Sequence, residues 1–207
     1  MKVLFLTRST LFNQPGGDTL QVEQTAKFLR LLGCDVEISP GGKIPRKSSF
    51  DLIHFFNLIR PADAREAVKQ NLPVVISSIY HDYREYDKLH RSGLASVLGK
   101  TFGNFRFDYL KTVLRWLNGS DQFPGWEYLF KGQKKSMYLL LQKSAFLFST
   151  SSQELDLIQR DLRYLPPHKK VSLGSEHIDS CDSSTENANP FGPSILSQTS
   201  VNRLVFG

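Results

Sequence analysis

Gly16 and Gly17 stand in the run Gln14-Pro15-Gly16-Gly17-Asp18-Thr19-Leu20, between an apolar opening (residues 2–6) and a stripe of helical spacing that begins at Asp18. Glycines in such a turn let the backbone approach a ligand closely and leave N–H groups at the positive end of a helix. Asp18 or Thr19 then serves as the helix cap, a role that suits Asp18 better than that of a catalytic acid. The run is neither GxGxxG nor GxxxxGK[ST], which excludes a P-loop nucleotidase. A tight strand-to-helix turn with no ligand is the plain alternative.

Three further groups follow later strands. Asn57 and Arg60 come after residues 50–56, and His81, beside Asp82, follows residues 72–78 in a polar loop. An imidazole so placed suits sugar binding or neutral hydrogen bonding, and no Ser or Cys partner makes it a hydrolytic base. His54, inside a strand, reads equally as a structural or a cleft residue. Cys34, after the helix-ending Gly33, reads as small core filling. Cys34 and Cys181 are the only cysteines, which argues against a disulfide framework or a metal site and for a reducing cytoplasm.

These residues need a scaffold, and the hydropathy pattern supplies one. Apolar runs at 2–6, 34–38, 50–56, 72–78 and 145–150 read as strands, with a further short one at 169–173. Between them, Leu20, Val22, Ala26, Phe28, Leu29 and Leu32 mark one helix, and residues 62–71 and 152–162 mark two more. The alternation predicts an α/β fold with a Rossmann-like parallel sheet and helices on both faces. Residues 80–143 interrupt it with a helical, basic and aromatic insertion, with helices expected at 94–102, 105–117 and 133–143. The Ser-, Asn- and Pro-rich residues 180–207 read as a linker followed by the start of another domain.

The 207-residue chain carries a net charge of +6. Residues 84–143 hold eleven Lys or Arg against five Asp or Glu, so the whole excess sits there. Within it Phe107, Leu110, Leu114 and Leu117 share one helical face, with Arg106, Lys111 and Arg115 around it. Solvated helix packing, docking on an anionic membrane or lipid-linked acceptor, and nucleic-acid binding are the three readings, the last the weakest. No apolar run approaches the roughly 20 residues of a membrane-spanning helix.

Taken in order, KVLFLT…PGGDTLQVEQTAKFLRLLGCDVEI, FDLIHFFN, LPVVISSIYHD, SAFLFSTSSQELDLI and KKVSLGSEHID resemble the N-terminal half of family 4 glycosyltransferases over residues 2–179. The resemblance implies a retaining enzyme of the glycosyltransferase-B fold, whose two Rossmann-like domains face each other across a cleft. It implies that the Gly16-Gly17 loop holds the donor's phosphate or the acceptor, and that His81 contacts the transferred sugar. It adds Asp18, Asn57, Ser152 and Glu154 as substrate contacts, with Phe56 where a second His is frequent. Leu173-Gly174-Ser175-Glu176-His177-Ile178-Asp179 departs from the family's PNGVD. The partners so implied are a nucleotide-sugar donor and a glycan or lipid-linked acceptor, with no metal and no nucleic acid. On this expectation residues 1–179 form the acceptor-side domain, residues 180–207 lead into an absent donor domain, and the chain alone is inactive. The location implied is cytoplasmic, with peripheral contact at the inner membrane face as an option. A non-catalytic module that binds a carbohydrate, a lipid head group or a protein is the alternative.

Overall fold

The computed structural model describes residues 1–45, 49–80 and 104–171. Six short strands, β1 (Lys2–Thr7), β2 (Asp35–Pro40), β3 (Leu52–Phe56), β4 (Val74–Ser77), β5 (Phe146–Ser149) and β6 (His168–Lys170), form one sheet in the order β2-β1-β3-β4-β5-β6. Every neighbouring pair is parallel. The chain steps from β1 to β2 on one side, then returns to the other side of β1 for β3 and continues outward. The reversal falls between β1 and β3, where doubly wound sheets open a crevice at their carboxyl ends.

Because side chains alternate along a strand, each strand feeds two cores. Leu4, Leu6, Ile53, Phe55, Ile76 and Leu147 face one side, under Met137, Leu140 and Leu141 of α3 (Trp126–Lys143) and Ile158 and Leu162 of α4 (Ser152–Leu162). Val3, Phe5, Val36 and Phe56 face the other, under Val22 and Ala26 of α1 (Gly17–Leu31). Helices therefore lie on both faces, a Rossmann-like α/β arrangement. Cys34 packs partly buried against the α1-side core.

Three expectations are corrected. The inward stripe of α1 is Thr19, Val22, Ala26 and Leu29, while Leu20, Phe28 and Leu32 are exposed. Spacings of three and four from Thr19 keep one face on the sheet, and the leucines that look like core lie off it. Residues 62–71 are not a regular helix. Their backbone bonds are mostly of the i to i−3 kind, Asp63 N to Arg60 O and Lys69 N to Glu66 O among them, with only Ala67–Lys69 forming a 3-10 turn. Ala64 and Ala67 are both buried against the core. Lastly, α3 starts seven residues earlier than expected. Gly132 breaks it at φ 74°, so the segment up to Lys131 and the core-facing segment from Gln133 point differently.

α2 (Asn104–Leu117) follows the expected bounds closely and α4 matches them. The expected helix at 94–102, His81, and all that is expected of residues 172–207 lie outside the described residues.

His54 is a core residue. Its ring stacks on Phe56 at 4.2 Å between centroids, meets Phe5 edge-on, and places Nε2 2.9 Å from Ser77 Oγ. Burial pushes the imidazole down from 6.5 to about 3, so it is neutral in the native chain. Below pH 6.5 the unfolded chain takes up a proton that the native chain refuses until about pH 3, so stability falls as pH drops through that window. In urea unfolding, the loss between pH 7 and pH 5 should be about 2 kcal/mol larger for the natural chain than for His54→Gln. Equal losses would show that His54 is solvated.

Candidate functional site

In a parallel sheet every strand ends on the same rim, so the segments after β1, β3, β4 and β5 all emerge there. After β1, the organiser is Arg8. Its Nε and Nη2 donate to Asp18 Oδ2 and Oδ1 at 2.5 and 3.0 Å. Its Nη1 donates to Thr10 O and Oγ1, and Nη2 also to Gln14 O at 2.6 Å. One guanidinium thus closes the whole loop from Arg8 to the first turn of α1, with both partners of the ion pair about 15% exposed or less. Burial works to raise the Asp18 carboxyl, but the Arg8 bond and charge and the Thr19 amide outweigh it and hold it below its ordinary value. Contrary to expectation, neither Asp18 nor Thr19 is the N-cap: Gly16 is, because Asp18 is taken by Arg8. Thr19 in the first turn completes the capping, its Oγ1 accepting from Gly16 N and donating to Leu11 O, both at 3.0 Å.

The two glycines act differently from each other. Gly16 is extended, and a Cβ there would stand 3.2 Å from Asp18 Oδ1, so its bareness makes room for the ion pair. Gly17 is the first residue of α1, and a Cβ there would meet nothing within 4 Å. It fronts open space at the helix's positive end.

After β3, Asn57 takes φ 84°, its Oδ1 accepting from Ile59 N at 3.1 Å, a local bond that suits Asn to the left-handed region. Arg60 follows, with Nη2 2.7 Å from Asp121 Oδ2 and Nε 2.8 Å from Asp63 Oδ2. Asp121, from the segment joining α2 to α3, also accepts from Ser9 Oγ and pairs with Arg115. This carboxylate therefore ties the segments after β1 and β3 together across the reversal point. Burial, opposed by Arg60 and reinforced by Asp121, pushes the Asp63 carboxyl up to about 6. Gly42, after β2, takes φ 70° and lies so close to the Asp63 carbonyl that a Cβ would stand 2.0 Å from it.

After β4 comes Ile79 at φ 41°, an uncommon conformation for a β-branched residue. What holds it is Glu154, buried in the first turn of α4. Oε1 accepts from Tyr80 N at 2.5 Å, and Oε2 accepts from Ser149 Oγ, Thr150 N and Thr150 Oγ1. Ser151 caps the same turn, its Oγ accepting from Glu154 N. Tyr80 is held a second time through its hydroxyl, which donates to Asp161. Burial works to raise the Glu154 carboxyl, but the Tyr80 amide, Ser78, Thr150 and Ser149 outweigh it and keep the group below its usual range. Strained backbone of this kind concentrates at functional sites.

Of the residues singled out from sequence, Gly16, Gly17, Asp18 and Asn57 emerge from adjacent strands. Ser152 is exposed at the start of α4, two strands away, and Glu154 has both oxygens occupied by the protein. Arg8, Ser9 and Asp121 escaped the sequence reading. Their pairings span 10 to 112 residues, and no periodicity signals them. Among the described residues, no group of three His, Cys, Asp or Glu could hold a metal ion. No protein-family model matches the chain, and no curated protein matches its sequence.

Glu154→Ala strips the acceptor from several buried donors and should destabilise the fold by about 3 kcal/mol in urea titration. A loss of only a few tenths would mean that the carboxylate does not hold the β4 exit.

Proposed function

We propose that this chain is the acceptor-side domain of a retaining sugar transferase that uses a nucleotide-activated donor. The observation that carries the reading is Gly17 at the N-terminus of α1, facing open space on the rim beside the reversal point. The Arg8–Asp18 pair neutralises its own charge there. A rim of amides, a closed ion pair and the Asn57 amide suits a ligand rich in hydroxyls better than one with a bare phosphate.

In this scheme the Gly16-Gly17 turn and Asn57 position sugar or acceptor hydroxyls, and His81 meets the transferred sugar. Ser152 offers its hydroxyl at the far side of the rim. Glu154 serves by fixing the exit of β4 rather than by touching substrate. The diphosphate leaving group is stabilised by amide dipoles and cations, many of them contributed by a second Rossmann-like domain across the cleft. No step calls for a metal. The acceptor is a glycan or a lipid-linked sugar, and the chemistry belongs at the cytoplasmic face of a membrane.

A second reading has an observation of its own. Asp18, Asp121 and Glu154 are all engaged by protein partners, which leaves them unsuited to act as a base and fits a module that binds carbohydrate without transferring it.

Calorimetric titration with a panel of nucleotide hexoses and free glycans tests the shared claim, and nucleotide release by a longer chain that includes a donor domain, expected only of a transferase, separates transfer from binding. Gly17→Leu projects a side chain into the open space without an internal clash. It should leave thermal unfolding unchanged and weaken binding about tenfold or more, equivalent to about 1.4 kcal/mol. If no ligand binds, or Gly17→Leu binds as the natural chain does, the assignment fails.

A further inference from the structure

The outermost line of α2 is Arg106, Leu110, Leu114 and Leu117, all exposed at spacings of four, four and three. A surface helix ordinarily turns its polar face to water, and this one turns leucines. The apolar line continues onto α3, where Trp126 is 68% and Phe130 85% exposed, four residues apart. Neighbouring rings pass from Trp116 to Phe123 to Trp126 to Phe130, with centroids 5.1, 5.3 and 6.4 Å apart. The break at Gly132 makes this possible. It separates the outward-facing Trp126 and Phe130 from Met137, Leu140 and Leu141, which fill the core.

Cations flank the apolar line. Arg106 heads it, Lys111 lies beside it over the Phe107 ring at 4.3 Å, and Lys131, Lys134 and Lys135 follow on α3. Residues 104–143 carry seven Lys or Arg against three Asp or Glu. Two copies of such a face would bring like charges together. Its exposed crest is leucine and the edges of an aromatic run rather than a groove lined with stacking platforms, which disfavours nucleic acid. Aliphatic side chains at the crest, tryptophan beside them and cations around them match the layered chemistry of a lipid interface. No helix among the described residues is long and apolar enough to cross a membrane, so contact would be from the surface.

We propose that this chain docks on anionic membrane surfaces through the outer face of α2 and the first turns of α3. The leucines, Trp126 and Phe130 enter the head-group boundary, and the cations meet anionic lipid. The inference is independent of sugar chemistry, because the face lies on α2 and the start of α3 and uses none of the residues of the rim.

The test is co-sedimentation of the 207-residue chain with phosphatidylcholine vesicles, with and without phosphatidylglycerol, at low and high salt. Binding should be about tenfold stronger to the anionic vesicles, weaken in high salt, and shift tryptophan emission to the blue. Both tryptophans, Trp116 and Trp126, lie in the docking region. A Trp126→Ser/Phe130→Ser double variant and a Leu114→Ser variant should each lose most of this binding with unchanged thermal unfolding. Leu31→Ser, at an exposed leucine on α1, should bind as the natural chain does. Equal binding to both vesicle types, full binding by the folded double variant, or a concentration-dependent dimer abolished by those substitutions would overturn the proposal. Because the vesicles carry no sugar, this outcome is separate from that of the carbohydrate titration.

Discussion

Parallel pairing of all six strands is the constraint from which everything else follows. It sends each strand's exit to one rim, and it leaves the carbonyl and amide groups there without a hairpin partner. The chain must turn away at each exit, and at two neighbouring strands it does so through a left-handed residue, Asn57 after β3 and Ile79 after β4. Asn57 is suited to that conformation by its own side-chain bond. Ile79 is not, and the Glu154 carboxylate reaching over from α4 supplies the restraint. The first turn of α4 thus determines how the chain leaves β4.

Charge on the rim is placed with the same economy. Arg8 and Asp18 close on each other, and Arg60 and Arg115 close on Asp121, so these cations, which among the described residues lie nearest the reversal point, are already engaged. These bonds brace three separate loops. Their stabilising value comes from saturating carboxylates and the Thr10 and Gln14 carbonyls at once, which offsets the desolvation that burial imposes, whereas exposed ion pairs contribute little. Among the described residues of the rim, what remains available is hydrogen-bonding surface. A net excess of positive charge lies elsewhere, over residues 104–143, beside exposed leucine and aromatic rings.

The sheet was legible because parallel strands are buried on both faces and appear as short apolar runs, of which residues 2–6 and 50–56 are clear cases. α4 was legible because Leu155, Ile158 and Leu162 fall at helical spacing. α1 was legible as an element and misread in its facing. Leu20, Phe28 and Leu32 outrank Thr19 in hydropathy, yet only the face containing Thr19 also contains Val22 and Ala26. Residues 62–71 have helix-forming composition, but their backbone is bonded mostly in i to i−3 turns. At the rim, the glycines and Asn57 announce themselves through backbone chemistry. Arg8, Ser9 and Asp121 do not, since their partners are brought near only by the fold. The same limit applied to Glu154, whose hold on Tyr80 spans 74 residues.

The central claim is that the rim at the β1–β3 reversal handles a sugar. Amide chemical-shift mapping of the isotope-labelled chain during addition of a nucleotide hexose tests it most directly. The account predicts that shifts concentrate on Arg8, Gly16, Gly17, Asn57 and neighbouring amides, while those of Lys2, Asp35 and Leu52, at the opposite ends of their strands, stay still. Shifts confined to that opposite edge, or none at saturating ligand, would contradict it.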